Sequence, residues 1–513
     1  MNFNSLHFLV FLPIVLCGYW LLPFRARWAW LLAASYYFYM SWNAELFFLI
    51  LTTTVVSYLA SIGIEKNPRF KKPLLILTLV VCLGILVYFK YTGFLMNSFY
   101  GLWNYFTGET RVFTLDILLP VGISFYTFQT LSYVIDVYRG EFPAERHFGY
   151  YALFVSYFPQ LVAGPIESAK NLLPQLKKRH YANEADFMAG LRILLCGFFR
   201  KCVVADFCGI YVNRIFAQIR EASALTIFFG GALFCIQMYC DFAGYSEIAT
   251  GAARMMGIRL MRNFNRPYLS TSYAEFFRRW HISLNRWFTS YVYIPLGGSR
   301  CGKLRRMFNS TMVFFLCGLW HGANWTYVLW GLYAGFFVAV EGVLRKPFFT
   351  FCEKHRIDLT DPFVKLIRRS YMFLIFIPAA MLFRSSTVGD AGAAIARLFT
   401  TWPESSFSGS LAAMQMTLPE LCRMVLCLVT MCLIVPFGEY GREAPEFVPN
   451  SAAAPEDQAA AAASGLTRRQ RQICRSEEGE RFSVYIYMIL AIALCWLSLL
   501  ATQNSSAFAY FQF

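Results

Sequence analysis

Long apolar runs alternate with short polar loops along the whole 513-residue chain. A helix needs roughly 18 consecutive apolar residues to cross a bilayer. Runs near or above that length occur at residues 6–22, 44–62, 73–89, 116–138, 188–204, 224–249, 416–437 and 482–501, with shorter candidates at 28–42 and 370–385. Such continuous runs do not fit the alternating strands of a membrane barrel. The pattern predicts an all-α polytopic membrane protein.

The composition supports this class, because 57% of the residues are hydrophobic and only 15% are charged. A soluble globular surface carries a larger charged share than this. The formal net charge is +16, but the basic residues cluster in short loops between the apolar runs. Such clusters report membrane orientation rather than nucleic-acid binding. We therefore expect membrane lipids, and no nucleic acid, among the partners.

The basic clusters also predict an orientation, because loops rich in Lys and Arg stay in the cytoplasm. All of them can be cytoplasmic on two conditions: residues 150–163 form a short re-entrant segment, and residues 309–341 enter and return as a hairpin. About 10 to 12 transmembrane helices then result, with both chain ends on the outer face. The clusters used are Arg25 with Arg27 and residues 65–72, 176–180, 254–286, 302–306, 345–347, 364–369 and 468–475.

Composition divides the chain into three parts. Residues 1–438 form the membrane core, and residues 439–481 form a low-complexity cytoplasmic loop around an alanine tract. Residues 482–513 add a final transmembrane helix and an aromatic tail. No CxxC pair, HExxH motif or glycine-rich nucleotide loop occurs in the sequence, so we expect no metal and no bound cofactor.

The stretch "SYAEFFRRWHISLNRWF" (272–288) combines aromatic residues at helical spacing with Arg278 and Arg279. This pattern predicts one amphipathic helix at the cytoplasmic interface. A simple membrane-surface anchor explains the pattern equally well. On a continuous helix His281 shares a face with Asn285 four residues later, so the amide could orient the imidazole. An interfacial histidine beside arginines could instead be solvated.

His321 lies in the apolar stretch "FFLCGLWHGANWTYVLWGLYAG" (314–335), which Gly318, Gly322 and Asn324 interrupt. An ionisable side chain within a membrane segment is a functional candidate, and the glycines permit a broken helix. A neutral, desolvated imidazole can act as a general base on a hydroxyl. The alternative is a core histidine bonded to a neighbouring carbonyl. Asp241 and Gln129 are further polar residues within apolar runs that could line a cavity.

Five blocks of sequence resemble the membrane-bound O-acyltransferase (MBOAT) family. The resemblance covers most of the chain, and it is closest to the bacterial branch that modifies alginate, peptidoglycan and teichoic acid. The blocks are "PVGISFYTFQTLSYVIDVYRG" (120–140), "YFPQLVAGPI" (157–166), "YCDFAGYSEIATGAARMMGIRLMRNFNRPYLS" (239–270), "FFRRWHISLNRWFTSYVYIPLGGSR" (276–300) and "CGLWHGANWTYVLWGLY" (317–333).

The resemblance implies an MBOAT fold around a central funnel or tunnel and an O-acetyltransferase of the bacterial inner membrane. His321 matches the family's catalytic histidine, and His281 matches its second histidine. Acetyl-CoA is the implied cytoplasmic donor, and an extracytoplasmic glycan, reached through a periplasmic SGNH-type acetyltransferase, is the implied acceptor. We expect donor-binding or supporting roles for Asn285, Asn324, Trp320, Asp241, Gln129, Arg278 and Arg279.

The last residues, "AFAYFQF", contain an F-x-Y-x-x-F pattern formed by Phe508, Tyr510 and Phe513. It resembles a motif of this branch in which the tyrosine relays the acyl group. A phenol (pKa about 10) leaves slightly less readily than a thiolate (about 8.5) and far more readily than an alkoxide, so transfer from thioester to phenol to alcohol runs downhill. The alternative is an ordinary aromatic belt at a membrane interface.

Two other functions fit parts of the pattern. A lipid-alcohol acyltransferase of the same superfamily would use the same two histidines. A transporter of acylated intermediates would also contain broken helices and intramembrane polar residues. The transporter is disfavoured because no internal repeat is visible in the sequence.

Overall fold

The computed structural model describes residues 1–114, 120–162 and 164–438, and these residues form helices joined by short loops, with no strand among them. Three-residue 3₁₀ turns begin at Ala44, Pro68 and Pro267, and π-helical turns cover Phe199–Ala205 and Thr289–Tyr293. The α-helices are α1 (Leu6–Leu21), α2 (Phe24–Met40), α3 (Phe47–Lys66), α4 (Lys71–Thr107), α5 (Ile123–Arg139), α6 (Phe148–Ser156), α7 (Ala169–Lys177), α8 (Glu184–Phe198), α9 (Asp206–Ala217), α10 (Ala224–Met255), α11 (Tyr273–Arg279), α12 (Ile282–Phe288), α13 (Lys303–His321), α14 (Trp325–Lys354), α15 (Pro362–Arg384), α16 (Val388–Thr400), α17 (Phe407–Ala413) and α18 (Leu418–Gly438).

The predicted class, an all-α polytopic membrane protein, is confirmed for the described residues. Five helical segments are long and apolar enough to cross a bilayer, and a pair bent by 93° would make a sixth. The five are Ala44–Lys66, Pro68–Thr107, Ala224–Met255, Trp325–Lys354 and Pro362–Arg384. The count of 10 to 12 crossings and the domain limits at 438 and 481 stay predictions, and the predicted final helix lies outside the described residues.

Helices α8 and α10 pack backbone to backbone through four glycines. A Cβ atom on Gly197 would lie 2.6 Å from the carbonyl oxygen of Gly244, and one on Gly251 would lie 2.6 Å from that of Gly190. Small residues allow this close approach, and they promote helix association where lipid provides no hydrophobic driving force. The seven-residue spacing of both glycine pairs keeps the contact on one face of each helix.

Two buried ion pairs join α10 to the π-helical turn between α8 and α9. Arg200 lies 2.5 Å from a carboxylate oxygen of Glu247, and the Lys201 ammonium lies 2.6 Å from Asp241 and 2.8 Å from Asp206. Charges buried this deeply persist only with opposite charges beside them. Asp241, expected to line a cavity, therefore has an observed role in the packing of these helices.

Helices α13 and α14 form the hairpin predicted for residues 309–341. A Cβ atom on Gly331 would lie 2.4 Å from the carbonyl oxygen of Phe314, and one on Gly318 would lie 2.3 Å from that of Tyr327. The two helices can approach this closely only because both positions are glycine. The break between the helices directly follows His321.

The predicted single helix over residues 272–288 is wrong. The chain forms two short helices, α11 and α12, and between them His281 takes a left-handed conformation with φ 44°. A non-glycine residue rarely adopts this conformation unless its surroundings hold it there. Backbone hydrogen bonds from Ile282 N–H to Asn263 O and from Asn265 N–H to Arg279 O (both 2.9 Å) stabilise the kink.

Substituting Gly331 with valine should separate the α13–α14 hairpin, because the new side chain would overlap the backbone of Phe314. We expect the free energy of unfolding to fall by about 1–3 kcal/mol, as for other overpacked sites. The measurement is a thermal melt of the purified protein in detergent. Gly342→Val is the matched control on the same helix, since a Cβ atom there meets nothing within 4 Å. Equal losses in both variants would contradict the close-packing argument.

Candidate active site

His281 is buried within the bundle, with only 3% of its surface exposed. Its Nδ1 atom lies 2.9 Å from the side-chain oxygen of Asn263, in the loop that follows α10. The same oxygen accepts a hydrogen bond from the Ser283 hydroxyl at 3.0 Å. The Ser283 backbone N–H also points to this oxygen, at 3.4 Å. The kink at His281 thus brings imidazole, amide and hydroxyl into one buried cluster.

This cluster assigns the tautomer of His281. A backbone N–H can only donate, so the Asn263 oxygen acts as an acceptor and His281 Nδ1 must carry the hydrogen. Nε2 then bears the lone pair. This atom is buried and has no hydrogen-bond partner among the residues that the structure describes. Buried polar atoms are almost always paired, so Nε2 is the atom of this cluster that is left to accept a further hydrogen bond.

A second layer of hydrogen bonds fixes Asn263 and Ser283. The Asn263 amide donates to the Ser246 hydroxyl of α10 at 3.1 Å, and the Ile166 backbone N–H donates to the Ser283 hydroxyl at 3.0 Å. The adjacent Glu167 carboxyl accepts from Met261 N–H and from the Asn171 amide. Burial raises the pKa of Glu167 to about 7, although these hydrogen bonds and the Arg286 charge lower it. Partners of this kind determine the tautomer and the orientation of a histidine.

Trp320 lies between the two histidines. Its ring centroid is 5.7 Å from that of His281 and 4.9 Å from that of His321, with edge-on geometry in both contacts. Phe125 and Phe128 of α5 pack on the same indole at 5.4 and 6.1 Å. The structure therefore brings together the two histidines that the sequence singled out, although they are 40 positions apart along the chain.

His321 ends α13 and faces a wall of aromatic rings. Its imidazole centroid lies 5.2 Å from the Trp330 ring of α14 and 5.1 Å from the Phe383 ring of α15. Tyr327 also packs on Phe383, with its ring centroid at 5.0 Å. An apolar wall lowers the local dielectric and strengthens any electrostatic interaction made by the imidazole.

Lys90 and Tyr91 of α4 bind the C-terminal end of α13, and the sequence analysis missed both. The Lys90 ammonium donates to the backbone oxygens of Trp320 and His321, and the Tyr91 hydroxyl donates to that of Leu319 at 2.8 Å. The last carbonyls of a helix lack partners within the helix and carry its negative dipole end, which favours a cation. A lysine directly after the apolar run 73–89 and before further aromatic residues, in "VYFKYTGF" (87–94), was the available signal.

Two of the predicted supporting asparagines have structural partners elsewhere. Asn285 does not orient His281; its amide donates to the Phe277 carbonyl at 3.0 Å. The expected pairing fails because the kink replaces the continuous helix on which it depended. Asn324 caps α14 through Thr326 N–H and donates to the Ser386 carbonyl at 3.0 Å.

Gln129, Arg279, Arg278 and Tyr510 are the remaining predicted residues. Gln129 is buried and donates to the Phe154 carbonyl at 2.6 Å. Arg279 pairs with Glu275 at 2.7 Å, and Arg278 is exposed beside it. Tyr510 lies outside the described residues. The catalytic and binding roles predicted for these residues stay predictions.

Chemically, the arrangement offers two imidazoles beside one indole. The imidazole of His281 presents a fixed acceptor nitrogen, Nε2. A neutral imidazole in such surroundings can take a proton from a hydroxyl or hold an N–H or O–H donor. The site is lined by α5, α10, α13, α14 and α15, so the bundle determines its position.

Comparisons with known proteins identify the family of this chain. The model of the membrane-bound O-acyltransferase family (MBOAT) matches residues 144–383, which contain both histidines. The protein named "Probable alginate O-acetylase AlgI" from Azotobacter vinelandii is 34% identical, with all of both chains covered. The "Peptidoglycan O-acetyltransferase" of Helicobacter pylori is 34% identical over 66% of this chain and 70% of its own. The "Teichoic acid D-alanyltransferase" of Bacillus subtilis is 28% identical over 42% and 58%.

Substituting Asn263 with alanine should release the His281 ring from its fixed tautomer. We expect turnover to fall about 10- to 100-fold, the range found when the partner that orients a metal-binding histidine is lost. We also expect the ¹⁵N NMR signal of His281 to change from the Nδ1–H form to a mixture of tautomers. Asn285→Ala is the matched control and should leave that signal unchanged. If Asn285→Ala alters the tautomer and Asn263→Ala does not, the assignment is wrong.

Proposed function

Because the chain belongs to the membrane-bound O-acyltransferase family and is an acyltransferase, we propose that it moves acetyl groups from cytoplasmic acetyl-CoA across the bacterial inner membrane. The acetyl groups serve the O-acetylation of a polysaccharide outside the cytoplasm. Two relatives whose names specify alginate and peptidoglycan support this class of acceptor. The full-length match to the alginate O-acetylase supports the same overall reaction.

One observation carries the proposal: two imidazoles meet at one buried indole, and one of them presents an unpaired nitrogen. Acyl transfer to an alcohol needs a base at the hydroxyl and a group that holds the donor in line. A single histidine bonded to a neighbouring carbonyl would serve neither need.

In the proposed mechanism His321 removes the proton from the acceptor hydroxyl. The hydroxyl oxygen attacks the thioester carbon, the C–S bond breaks, and the CoA thiolate leaves with the proton that His321 took up. His281 presents an acceptor atom at Nε2, which suits an N–H group of the pantetheine arm. His281 would then position the thioester, while the Trp320 ring separates the two imidazoles.

Basic residues on the predicted cytoplasmic side suit a CoA donor. Arg278 and Arg259 are exposed, and Lys303 opens α13 at the end opposite His321. Arginine and lysine bind phosphate groups through charge-assisted hydrogen bonds. The phosphates of CoA would bind at this basic end, which the positive-inside rule places in the cytoplasm. The pantetheine arm would reach His281 from there.

We further propose that the tail tyrosine Tyr510 receives the acetyl group first and passes it on. The support is the F-x-Y-x-x-F pattern and the graded leaving ability of thiolate, phenolate and alkoxide. A periplasmic SGNH-type acetyltransferase would then transfer the group to the glycan. In this scheme the phenol is the hydroxyl that His321 deprotonates.

Substituting His321 with alanine should reduce acetyl transfer at least about 100-fold, because a positioned general base contributes about 10²- to 10⁴-fold. Release of CoA thiol from acetyl-CoA by the purified protein, and acetyl esters on envelope polysaccharides, are the two measurements. His355→Ala at the exposed end of α14 is the matched control and should retain full transfer. Wild-type transfer in the His321 variant at normal protein level would exclude its catalytic role, and acetyl esters confined to the lipid fraction would favour a lipid-alcohol acyltransferase.

Substituting Tyr510 with phenylalanine keeps the ring and removes the hydroxyl. If Tyr510 is a relay, acetyl esters outside the cytoplasm should fall to background, and mass spectrometry of the wild type should detect acetyl on the peptide that contains Tyr510. Tyr487→Phe, in the predicted final helix that precedes the tail, is the control. Full acetylation with Tyr510→Phe would support the interfacial belt.

A further inference from the structure

Helix α7 and the residues just before it bind the segment that leads to Asn263. Gln175 accepts a hydrogen bond from the Arg259 backbone N–H at 2.8 Å and donates to the Arg259 carbonyl at 2.9 Å. Glu167, two residues before α7, accepts a hydrogen bond from the Met261 backbone N–H. Asn263 follows Met261 by two residues, so these contacts hold the chain directly before the side chain that binds the buried imidazole.

Glu167 lies where two parts of the histidine cluster meet. The residue before it, Ile166, donates its backbone N–H to the Ser283 hydroxyl at 3.0 Å. The Glu167 carboxylate itself accepts from Met261 N–H, on the segment that carries Asn263. Ser283 and Asn263 bind each other within the cluster. Residues 166–167 therefore connect the α12 side of the cluster to the loop that follows α10.

The Glu167 carboxyl is fully buried, and both of its oxygens accept hydrogen bonds from N–H donors. Met261 N–H binds one oxygen, and the Asn171 amide of α7 binds the other at 2.7 Å. An ionised carboxylate accepts at both oxygens, whereas a protonated carboxyl carries a hydrogen on one of them. Protonation would therefore set two donors against each other and loosen one of the two contacts.

The surroundings of Glu167 place this protonation close to neutral pH. Burial raises the pKa of the carboxyl to about 7, against the opposing effects of its hydrogen bonds and of the Arg286 charge on α12. The charge of this carboxyl also acts on the buried Tyr157 phenol, which follows α6. The other charged side chains of α7 and of the loop nearby have their own partners: Lys170 pairs with Glu141 (2.7 Å), Arg259 pairs with Asp186 (3.3 Å), and Arg262 donates to the Phe264 carbonyl (2.7 Å).

We propose that Glu167 is a positioning residue: its ionised carboxylate holds the loop after α10 so that Asn263 keeps His281 in the Nδ1–H tautomer. Glu167 acts through Asn263 rather than on the reacting atoms. Above about pH 7 the carboxylate is ionised and both contacts are intact. As the pH falls through this value the carboxyl takes up a proton, one contact loosens, and the imidazole loses its fixed orientation. The effect on turnover rests on the proposed function, whereas the effect on the tautomer does not.

The first test follows the ¹⁵N NMR signal of His281 in the purified full chain in detergent, without acetyl-CoA, as the pH is varied. We expect the wild type to show the Nδ1–H form at high pH and a mixture of tautomers at low pH, with a midpoint near 7. Glu167→Gln keeps the size of the side chain but only one acceptor oxygen, like the protonated carboxyl. This variant should show the mixture at every pH.

Glu145→Gln is the matched control. Glu145 is also a buried carboxylate that accepts from a backbone N–H, that of His147 at 2.9 Å. It pairs with Lys177 at the far end of α7, so its substitution disturbs α7 without removing a contact to the loop after α10. Glu145→Gln should titrate like the wild type. If it matches Glu167→Gln instead, any loosening of α7 releases the histidine and the proposal is overturned.

The second test measures turnover as the release of CoA thiol. We expect Glu167→Gln to lower turnover at least about 10-fold at pH 8, the factor that one hydrogen bond to a charged group accounts for. In the Asn263→Ala background the same substitution should cause no further loss, because both changes remove the same support for His281. An equal loss in both backgrounds would show that Glu167 does not act through Asn263.

This proposal and the proposed function fail separately. The tautomer is measured without the donor, so a wild type that releases no CoA thiol would refute only the acetyl-CoA mechanism. Conversely, a His281 signal that stays in the Nδ1–H form at every pH in the wild type would refute the role of Glu167 and leave acyl transfer intact. Because the wild-type titration needs no variant, it decides the question even if Glu167→Gln fails to fold.

Discussion

A helix that ends inside a helical bundle must find partners for its last carbonyls without help from bulk water. Helix α13 meets this constraint at His321 through the Lys90 ammonium and the Tyr91 hydroxyl of α4. The cation also complements the negative end of the helix dipole. Because α13 can end there, His321 sits at a helix terminus, α14 turns back beside α13, and the aromatic rings of α14 and α15 can surround the imidazole.

The second histidine depends on a different backbone irregularity. At His281 the chain takes a left-handed turn that separates α11 from α12, and the Asn263 segment binds this kink through both backbone and side-chain hydrogen bonds. A strained backbone conformation persists only where the surrounding structure holds it in place. Such conformations occur most often at functional sites. The kink directs His281 Nδ1 to Asn263 and leaves Nε2 bare. Both histidines thus occupy positions where regular helix stops.

The rigidity of the bundle comes from close packing and buried charge. Glycine pairs bring α8 against α10 and α13 against α14, while Arg200 and Lys201 bind carboxylates of α10 at a π-helical turn. Short π-helical turns often occur near functional sites. Helix α10 also carries Phe242 and Ser246, which contact His281 and Asn263, so this packing fixes the position of the site.

The sequence by itself determined the membrane class, the α13–α14 hairpin and the two histidines, because apolar run length and an ionisable group inside such a run are local properties. It could not determine the partner of His281. Periodicity pointed to Asn285 on a continuous helix, whereas the folded chain supplies Asn263, 18 residues earlier and across a kink. The contact between Lys90 and the end of α13 could not be predicted for the same reason, because Lys90 and Trp320 are 230 positions apart along the chain. Contacts between distant segments depend on how the helices pack, and only the tertiary structure decides them.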